Sequence, residues 1–362
     1  MYEFTYTANA SRVIFGRGSL NSIEQEVERL GAGRALVLCT PDRRELAEPV
    51  AALLGKRCAG IYAGAIMHVP IESARAATEH AGKVGADCAI AIGGGSTVGL
   101  GKAIALESAL PIIAIPTTYA GSEMTPIFGL TENGLKRTGR DARVLPRTVI
   151  YDPQLSLTLP LPISFVSGLN AMAHAAEGLY ARDGNPVMSL MAEEGIRALA
   201  KGLRALKQDA ANPDARSDCL YGAWLCGTVL GQVGMALHHK LCHTLGGSFN
   251  LPHAETHASV LPHALAYNAA AAPEAMRRIA RALGASEAEA NDPAAAALAL
   301  HALSQELGIP AGLKSIGMQE DDLDRACQIA LANPYWNPRA IEPQPLRALL
   351  QRAWSGVAPQ PD

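Results

Sequence analysis

Short runs rich in aliphatic and β-branched residues, at 35–39, 60–62, 88–92, 111–115 and Thr148–Tyr151, alternate with helical stretches such as 20–30 and 71–84. Runs this continuous leave no polar face for solvent. They therefore read as strands buried on both sides, and strands separated by helices pair in parallel. The alternation stops at Asp152-Pro153. Beyond it Ala, Leu, Met and Glu dominate, and 187–206, 215–231, Pro273–Leu283, 293–307 and 344–354 carry apolar residues at helical spacing. Pro153, Pro160 and Pro162 mark the joint. The expected architecture is an α/β N-terminal domain over 1–155 and an all-α C-terminal domain over 156–362. A hairpin is expected at the start, with 4–6 and 12–15 flanking 9–11, and the Ala-rich tract 285–299 reads as helix-loop-helix.

Composition narrows the function classes. The 362 residues are 49% hydrophobic and 18% charged, enough apolar material for a sizeable core and too much for a disordered chain. The formal charge is −3 and no Lys/Arg block runs along the chain, so no nucleic-acid partner is expected. No run approaches ~18 consecutive apolar residues, and residues 1–18 hold no apolar core of a signal peptide, so no membrane partner is expected. The seven cysteines are odd in number and lack CxxC spacing, which fits reduced thiols in a cytoplasmic enzyme.

Two loops of the first half point to a phosphate-bearing ligand. The apolar run from Cys88 leads into Gly93, Gly94 and Gly95, then Ser96 and Thr97, where a helix begins with Ser96 or Thr97 as its expected cap. Glycines let the backbone approach a phosphate, and a helix N-terminus offers unpaired N–H groups with a favourable dipole. The spacing is not GxGxxG after the first strand, so the usual Rossmann fingerprint is absent. After the next strand, Pro116 is followed by Thr117 and Thr118, hydroxyls at the edge where open α/β sheets bind ligands. Two such loops after successive strands make the first domain a Rossmann-like, dinucleotide-binding one.

Histidines concentrate in the second half. Six of the ten fall between 238 and 263: His238, His239, His243, His253, His257 and His263. His239 and His243 share a helix face, as do Asn170 and His174. Gly246-Gly247 is expected to end the first of these helices, and Pro252-His253 to begin another.

Four segments carry a family resemblance: Pro116-Thr-Thr-Tyr-Ala-Gly-Ser-Glu123, Thr138-Gly-Arg-Asp-Ala-Arg-Val-Leu-Pro146, Leu237-His-His-Lys-Leu-Cys-His-Thr-Leu-Gly-Gly247, and Asn250-Leu-Pro-His-Ala-Glu-Thr-His257. Together they resemble the iron-containing alcohol dehydrogenase superfamily, from Phe15-Gly16-Arg17-Gly18 to about Asn333-Pro334. Within it the chain is most similar to the branch that reduces maleylacetate, a small dianionic substrate, to 3-oxoadipate in the breakdown of aromatic compounds. The resemblance implies NADH or NADPH as cofactor and a homodimer.

In the metal-dependent relatives an Asp and three His hold a divalent ion. The matching positions here are Asn170, His174, His239 and His253. A neutral Asn offers only a carbonyl oxygen, and the set loses its one negative charge, so no metal is expected. Three neutral His remain able to hold zinc. A metal-dependent alcohol or aldehyde dehydrogenase of the same fold is therefore the alternative, beside a lyase on this sheet and a nucleotide-binding protein without turnover. Where many relatives carry an acidic residue for the ribose 2′-hydroxyl, the alignment places Thr40, with Asp42, Arg43 and Arg44 beyond. Either Thr40 admits both coenzymes or Asp42 takes the acidic role through a short shift. The expected coenzyme contacts are Thr40, Gly93, Gly94, Gly95, Ser96, Thr97, Thr117 and Thr118. The resemblance implies His243 as acid and oxyanion donor, His253 in support, and Asn170, His174, His239 and Lys240 on the substrate carboxylates.

Overall fold

The structure, a computed structural model, describes residues 4–9, 11–132 and 135–361. Two compact units emerge from its contacts: residues 8–159 with 211–220, and residues 1–7 with 160–210 and 221–362.

The first unit carries β1 (Arg12–Phe15), α1 (Ile23–Arg29), β2 (Ala35–Leu38), α2 (Arg44–Leu54), β3 (Cys58–Tyr62), α3 (Ile71–Lys83), β4 (Cys88–Gly93), α4 (Gly95–Ser108), β5 (Ile112–Pro116), β6 (Ile127–Glu132), β7 (Leu135–Arg140) and β8 (Thr148–Tyr151). Six strands form one parallel sheet in the order β1-β8-β5-β4-β2-β3. Residues alternate between its faces. Val37, Ile90, Ile92, Ile113 and Ile115 join Ile23 and Val27 of α1 and Val50 and Leu54 of α2. Leu36, Leu38 and Ala89 pack instead with Ala74, Ala77 and Ala81 of α3 and Leu100 and Ile104 of α4. The small, regularly spaced alanines give α3 its apolar stripe. Both faces are covered, which is why these strands have no polar side.

One expectation is corrected here. Residues 4–9 form no strand, so there is no N-terminal hairpin; Arg12–Phe15 pairs in parallel with β8 instead. The hairpin that does exist, β6–β7, is antiparallel and stands outside the main sheet.

The chain leaves β2 outward to β3 and returns to β4 on the other side of β2. That reversal makes the β2/β4 junction the switch point of the sheet. Open α/β sheets bind ligands beyond the carboxyl ends of such strands. Thr40 follows β2, and Gly94 follows β4.

The remaining helices are α5 (Leu161–Gly178), α6 (Pro186–Gln208), α7 (Pro213–Gln232), α8 (Leu237–Phe249), α9 (His253–Asn268), α10 (Pro273–Leu283), α11 (Ala295–Glu306), α12 (Leu323–Ala332) and α13 (Pro343–Ser355). From Ser164 to Gly178, α5 is buried on all sides, against α6 and α9 among others. Leu241 and Leu245 of α8, Val260 and Tyr267 of α9, Leu323 and Ala326 of α12 and Leu346 and Leu349 of α13 share one core. Within 285–299 the chain forms a short 3-10 turn, Glu289–Asn291, before α11 starts at Ala295.

Candidate active site

In the sheet unit, Gly93 takes φ +149°, and a Cβ there would lie 2.5 Å from Thr97 Oγ1. A Cβ on Gly94 would stand 3.0 Å from the Thr118 methyl. These glycines let the two loops close on each other, and Thr117 N donates to Gly93 O at 3.0 Å. Gly94 itself is the N-cap of α4, and no side chain caps the helix. Neither Ser96 nor Thr97 therefore serves as the cap; both lie inside the first turn, after the glycine-permitted bend. Thr97 is buried with its hydroxyl unpartnered among the described residues. An uncapped helix start beside backbone that a side chain would fill suits a pyrophosphate. The residues fit a dinucleotide.

The second loop is anchored on both flanks. Arg216, 1% exposed, donates to Tyr119 Oη at 3.0 Å and to Leu159 O at 2.9 Å. Lys102 Nζ donates to Ser122 O at 2.7 Å, Thr125 O at 2.8 Å, Thr125 Oγ1 at 3.0 Å and Ile127 O at 2.7 Å. Burial draws the Lys102 ammonium down to about 7, opposed by the Glu123 carboxylate. Glu123, raised by its own burial, accepts from Tyr151 Oη at 2.8 Å. At the switch point, the Thr40 hydroxyl beside the exposed Asp42 holds the Asp42 carboxyl below its ordinary range. The carboxylate thus stands beside Thr40. Arg43 pairs with Glu45 and Arg44 with Glu48.

In the helical unit the sequence-predicted residues converge. Asn170, His174 and Glu177 occupy one face of α5, with exposures of 4%, 4% and 0%. Glu177 is the hub. Its two oxygens accept from the backbone N–H of Ala236 and of His238, each at 2.7 Å, and from His239 Nδ1 at 2.7 Å. A carboxylate at the start of α8 meets unpaired N–H groups and the positive end of the helix dipole. It also fixes the His239 tautomer, since Nδ1 carries the proton and Nε2 faces His174 Nδ1 at 2.8 Å. Behind these rings, His238 Nε2 meets His257 Nδ1 at 2.9 Å, and Cys242 Sγ lies 3.6 Å from His238 Nε2. Burial holds His238 and His257 neutral and the Cys242 thiol protonated.

His243, half-buried, lies one turn beyond His239 with ring centres 6.2 Å apart. Its Nδ1 is 3.0 Å from Tyr335 Oη. Lys240 Nζ sits 5.8 Å above the Tyr335 ring, and its own pKa is lowered by burial. His253 packs on His257 with ring centres 4.4 Å apart. Gly246 and Gly247 do not end α8; it runs on to Phe249 and stops at Asn250, whose left-handed backbone supplies the C-cap. Glu177 and Tyr335 were missed by sequence reasoning. The one available signal was that Glu177 follows His174 by three residues on the same helix face.

The four positions that match the family's ligand set suit a divalent ion poorly. Asn170 brings no charge, although its Oδ1, buried without a hydrogen-bond partner among the described residues, is left free to ligate. His174 Nδ1 and His239 Nε2 share a hydrogen bond at 2.8 Å, so a proton lies between them. Two nitrogens on one tetrahedral ion at about 2.0–2.1 Å would stand roughly 3.4 Å apart with both lone pairs on the metal. A second group, His238, Cys242 and His257, has donor atoms within 4.8 Å of one another and is the set among the described residues that could hold a metal.

A family model described as iron-containing alcohol dehydrogenase matches residues 10–153, and one for the C-terminal part of the same family matches 164–354. The chain belongs to the iron-containing alcohol dehydrogenase family. Its fold is that family's: a parallel-sheet N-terminal domain followed by a helical region. A maleylacetate reductase of Burkholderia cepacia is 58% identical over 359 residues, covering 99% of this chain and 100% of that one. The crystal structure of maleylacetate reductase from Rhizobium sp. strain MTP-10005 superposes with a TM-score of 0.93 at 52% identity, covering 99% of this chain and 100% of that one. A putative alcohol dehydrogenase from Ralstonia eutropha JMP134 superposes at 0.97 with 69% identity and the same coverage. Membership of this iron-containing alcohol dehydrogenase family brings NAD(P) binding with it. It also brings iron by name, so a metal-free site does not follow from membership.

Proposed function

We propose that this protein reduces the C=C bond of maleylacetate to give 3-oxoadipate, with NADH or NADPH as the hydride source. The observation that carries the reading is Asn170, a buried neutral amide at the family's carboxylate position, one turn before His174 on α5. A carboxylate there would repel a dianion, whereas an amide can donate to it.

A nicotinamide coenzyme held by the glycine and threonine loops would supply a hydride. The substrate carbon β to the ketone accepts it, the C=C π pair moves, and charge arrives on the ketone oxygen as an enolate. His243 donates to that oxygen and delivers the proton that ends on the carbon next to the ketone, with His253 in support. Asn170 and Lys240 donate to the two carboxylates, and His174 and His239, joined to each other and to Glu177, back the site. Thr40, Gly93, Gly94, Gly95, Ser96, Thr97, Thr117 and Thr118 hold the coenzyme. The division at about residue 155, the homodimer and a cytoplasmic location belong to the same reading. Among the described residues no single helix is long and apolar enough to cross a membrane.

The deciding experiment is oxidation of NADH by the purified protein with maleylacetate, followed at 340 nm by absorbance. Loss of NADH with formation of 3-oxoadipate is expected; inert maleylacetate together with alcohol oxidation would overturn the reading. No step in this route uses a metal. Full activity should therefore survive exhaustive dialysis against EDTA, and activity that is lost and then restored by iron or zinc would contradict this.

Thr40→Asp is expected to weaken use of NADPH more than use of NADH. It adds a second carboxylate beside Asp42, against the 2′-phosphate. A repulsive pair of this kind changes binding by ~1–3 kcal/mol, roughly 5- to 150-fold. Comparing kcat/KM for the two coenzymes checks it, and equal losses would remove Thr40 from the ribose site.

A further inference from the structure

Tyr335 lies in the segment between α12 and α13, 92 residues from His243, and meets it at 3.0 Å. That segment is bolted to the end of α9. Asn337 and Asn268 exchange amide hydrogen bonds at 3.0 and 2.7 Å, and Asn337 Nδ2 also donates to Arg339 O at 2.7 Å. Arg339 donates to Tyr267 O at 3.0 Å and stacks 4.2 Å over the Tyr267 ring, whose hydroxyl donates to Ala340 O at 2.7 Å. So much fixing of a short connection holds the Tyr335 phenol in one place relative to α8. Connections gain such order at a cost in entropy, and here the ordered atom meets an imidazole nitrogen.

We propose that Tyr335 is a positioning residue for His243: its phenol donates to Nδ1 and holds the imidazole in the Nε2–H tautomer, the form that can donate to an enolate oxygen. The inference rests on the maleylacetate reading for the reaction, but not for the tautomer. Two further observations agree with the direction of the bond. Lys240 Nζ, 5.8 Å over the ring, draws electron density from the phenol and makes its O–H the better donor. Burial and the charge of Glu177 raise the Tyr335 pKa, so the proton stays on the phenol. Which ring nitrogen of a histidine carries the proton is decided by the bond that the other makes.

The test compares wild type, Tyr335→Phe, His243→Gln and the double variant, each in the full chain with NADH. Tyr335→Phe keeps the ring and the packing and removes one oxygen. It is expected to lower kcat by about 10-fold or more while KM moves less than about 3-fold, within the range of losing part of a general acid's action. In the His243→Gln background the same change is expected to have almost no further effect, because the phenol acts through the imidazole. In parallel, 15N-histidine NMR of the free protein, with the His243 signals assigned by their loss in His243→Gln, is expected to show a protonated Nε2 and an unprotonated Nδ1. Wild-type kcat in Tyr335→Phe, an equal loss in both backgrounds, or an Nδ1–H tautomer would each overturn the proposal. If wild type fails to reduce maleylacetate, the substrate reading falls while the NMR measurement still decides the tautomer.

Discussion

Replacing His243 by Gln is expected to lower kcat for maleylacetate by about 10²–10⁴-fold, the range for losing a general acid or an oxyanion donor. The residue sits one turn beyond His239 on α8 and outside the four family ligand positions. It is half-buried, so a ring nitrogen is within reach of a small substrate. NADH affinity is expected to hold, because the coenzyme contacts are proposed on the glycine and threonine loops of the sheet unit. A histidine that only packs would give the reverse: a lower melting temperature with near-normal turnover. Measuring kcat, NADH affinity and thermal stability on one preparation separates the two, and near-wild-type kcat would transfer the acid role to His253.

The second large effect is expected at Glu177. Glu177→Ala removes the acceptor for Ala236 N, His238 N and His239 Nδ1 at once, with the donors left in a buried setting. Breaking a buried, hydrogen-bonded charge network of this kind costs about 3–5 kcal/mol. For a helical unit of this size the melting temperature should fall by on the order of 10 °C. Glu177→Gln fills the same volume, but its NH2 group would face an N–H donor, so it is expected to restore only part of the loss. Calorimetry of the two variants reads the difference. An unchanged melting temperature in Glu177→Ala would show that α8 does not depend on this carboxylate.

The strands 88–92 and 111–115 were legible because a parallel strand covered on both faces has no polar alternation to blur it. The partner of Arg12–Phe15 was not legible. An edge strand chooses its neighbour through a contact 136 positions along the chain, Arg12 with Thr148, and nothing local records that choice. The same holds for the antiparallel pair β6–β7, whose glycines and charged residues do not look like buried strand. Helix ends failed for a different reason. Gly246-Gly247 reads as a stop, yet the left-handed turn that ends α8 is made by Asn250, a less common donor of that geometry. At the site, the spacings of Asn170 with His174 and of His239 with His243 exposed one face of each helix. Tyr335 has no periodic partner, and only the fold brings it to His243.

Lys102 shows what such a hub does to a protein's response to its surroundings. Four oxygens from Ser122, Thr125 and Ile127 converge on one nitrogen, more than even the three N–H groups of an ammonium can serve singly. Oxygens gathered in this way around one positive centre are what a loop would offer a potassium or ammonium ion from solution. Here the nitrogen is tied to α4 by its own aliphatic stem, so it cannot be exchanged or diluted away, and with its pKa drawn to about 7 its charge answers to protons rather than to salt. The loop that carries Thr117 and Thr118 thereby draws its central nitrogen from the chain itself, whatever monovalent salt is present.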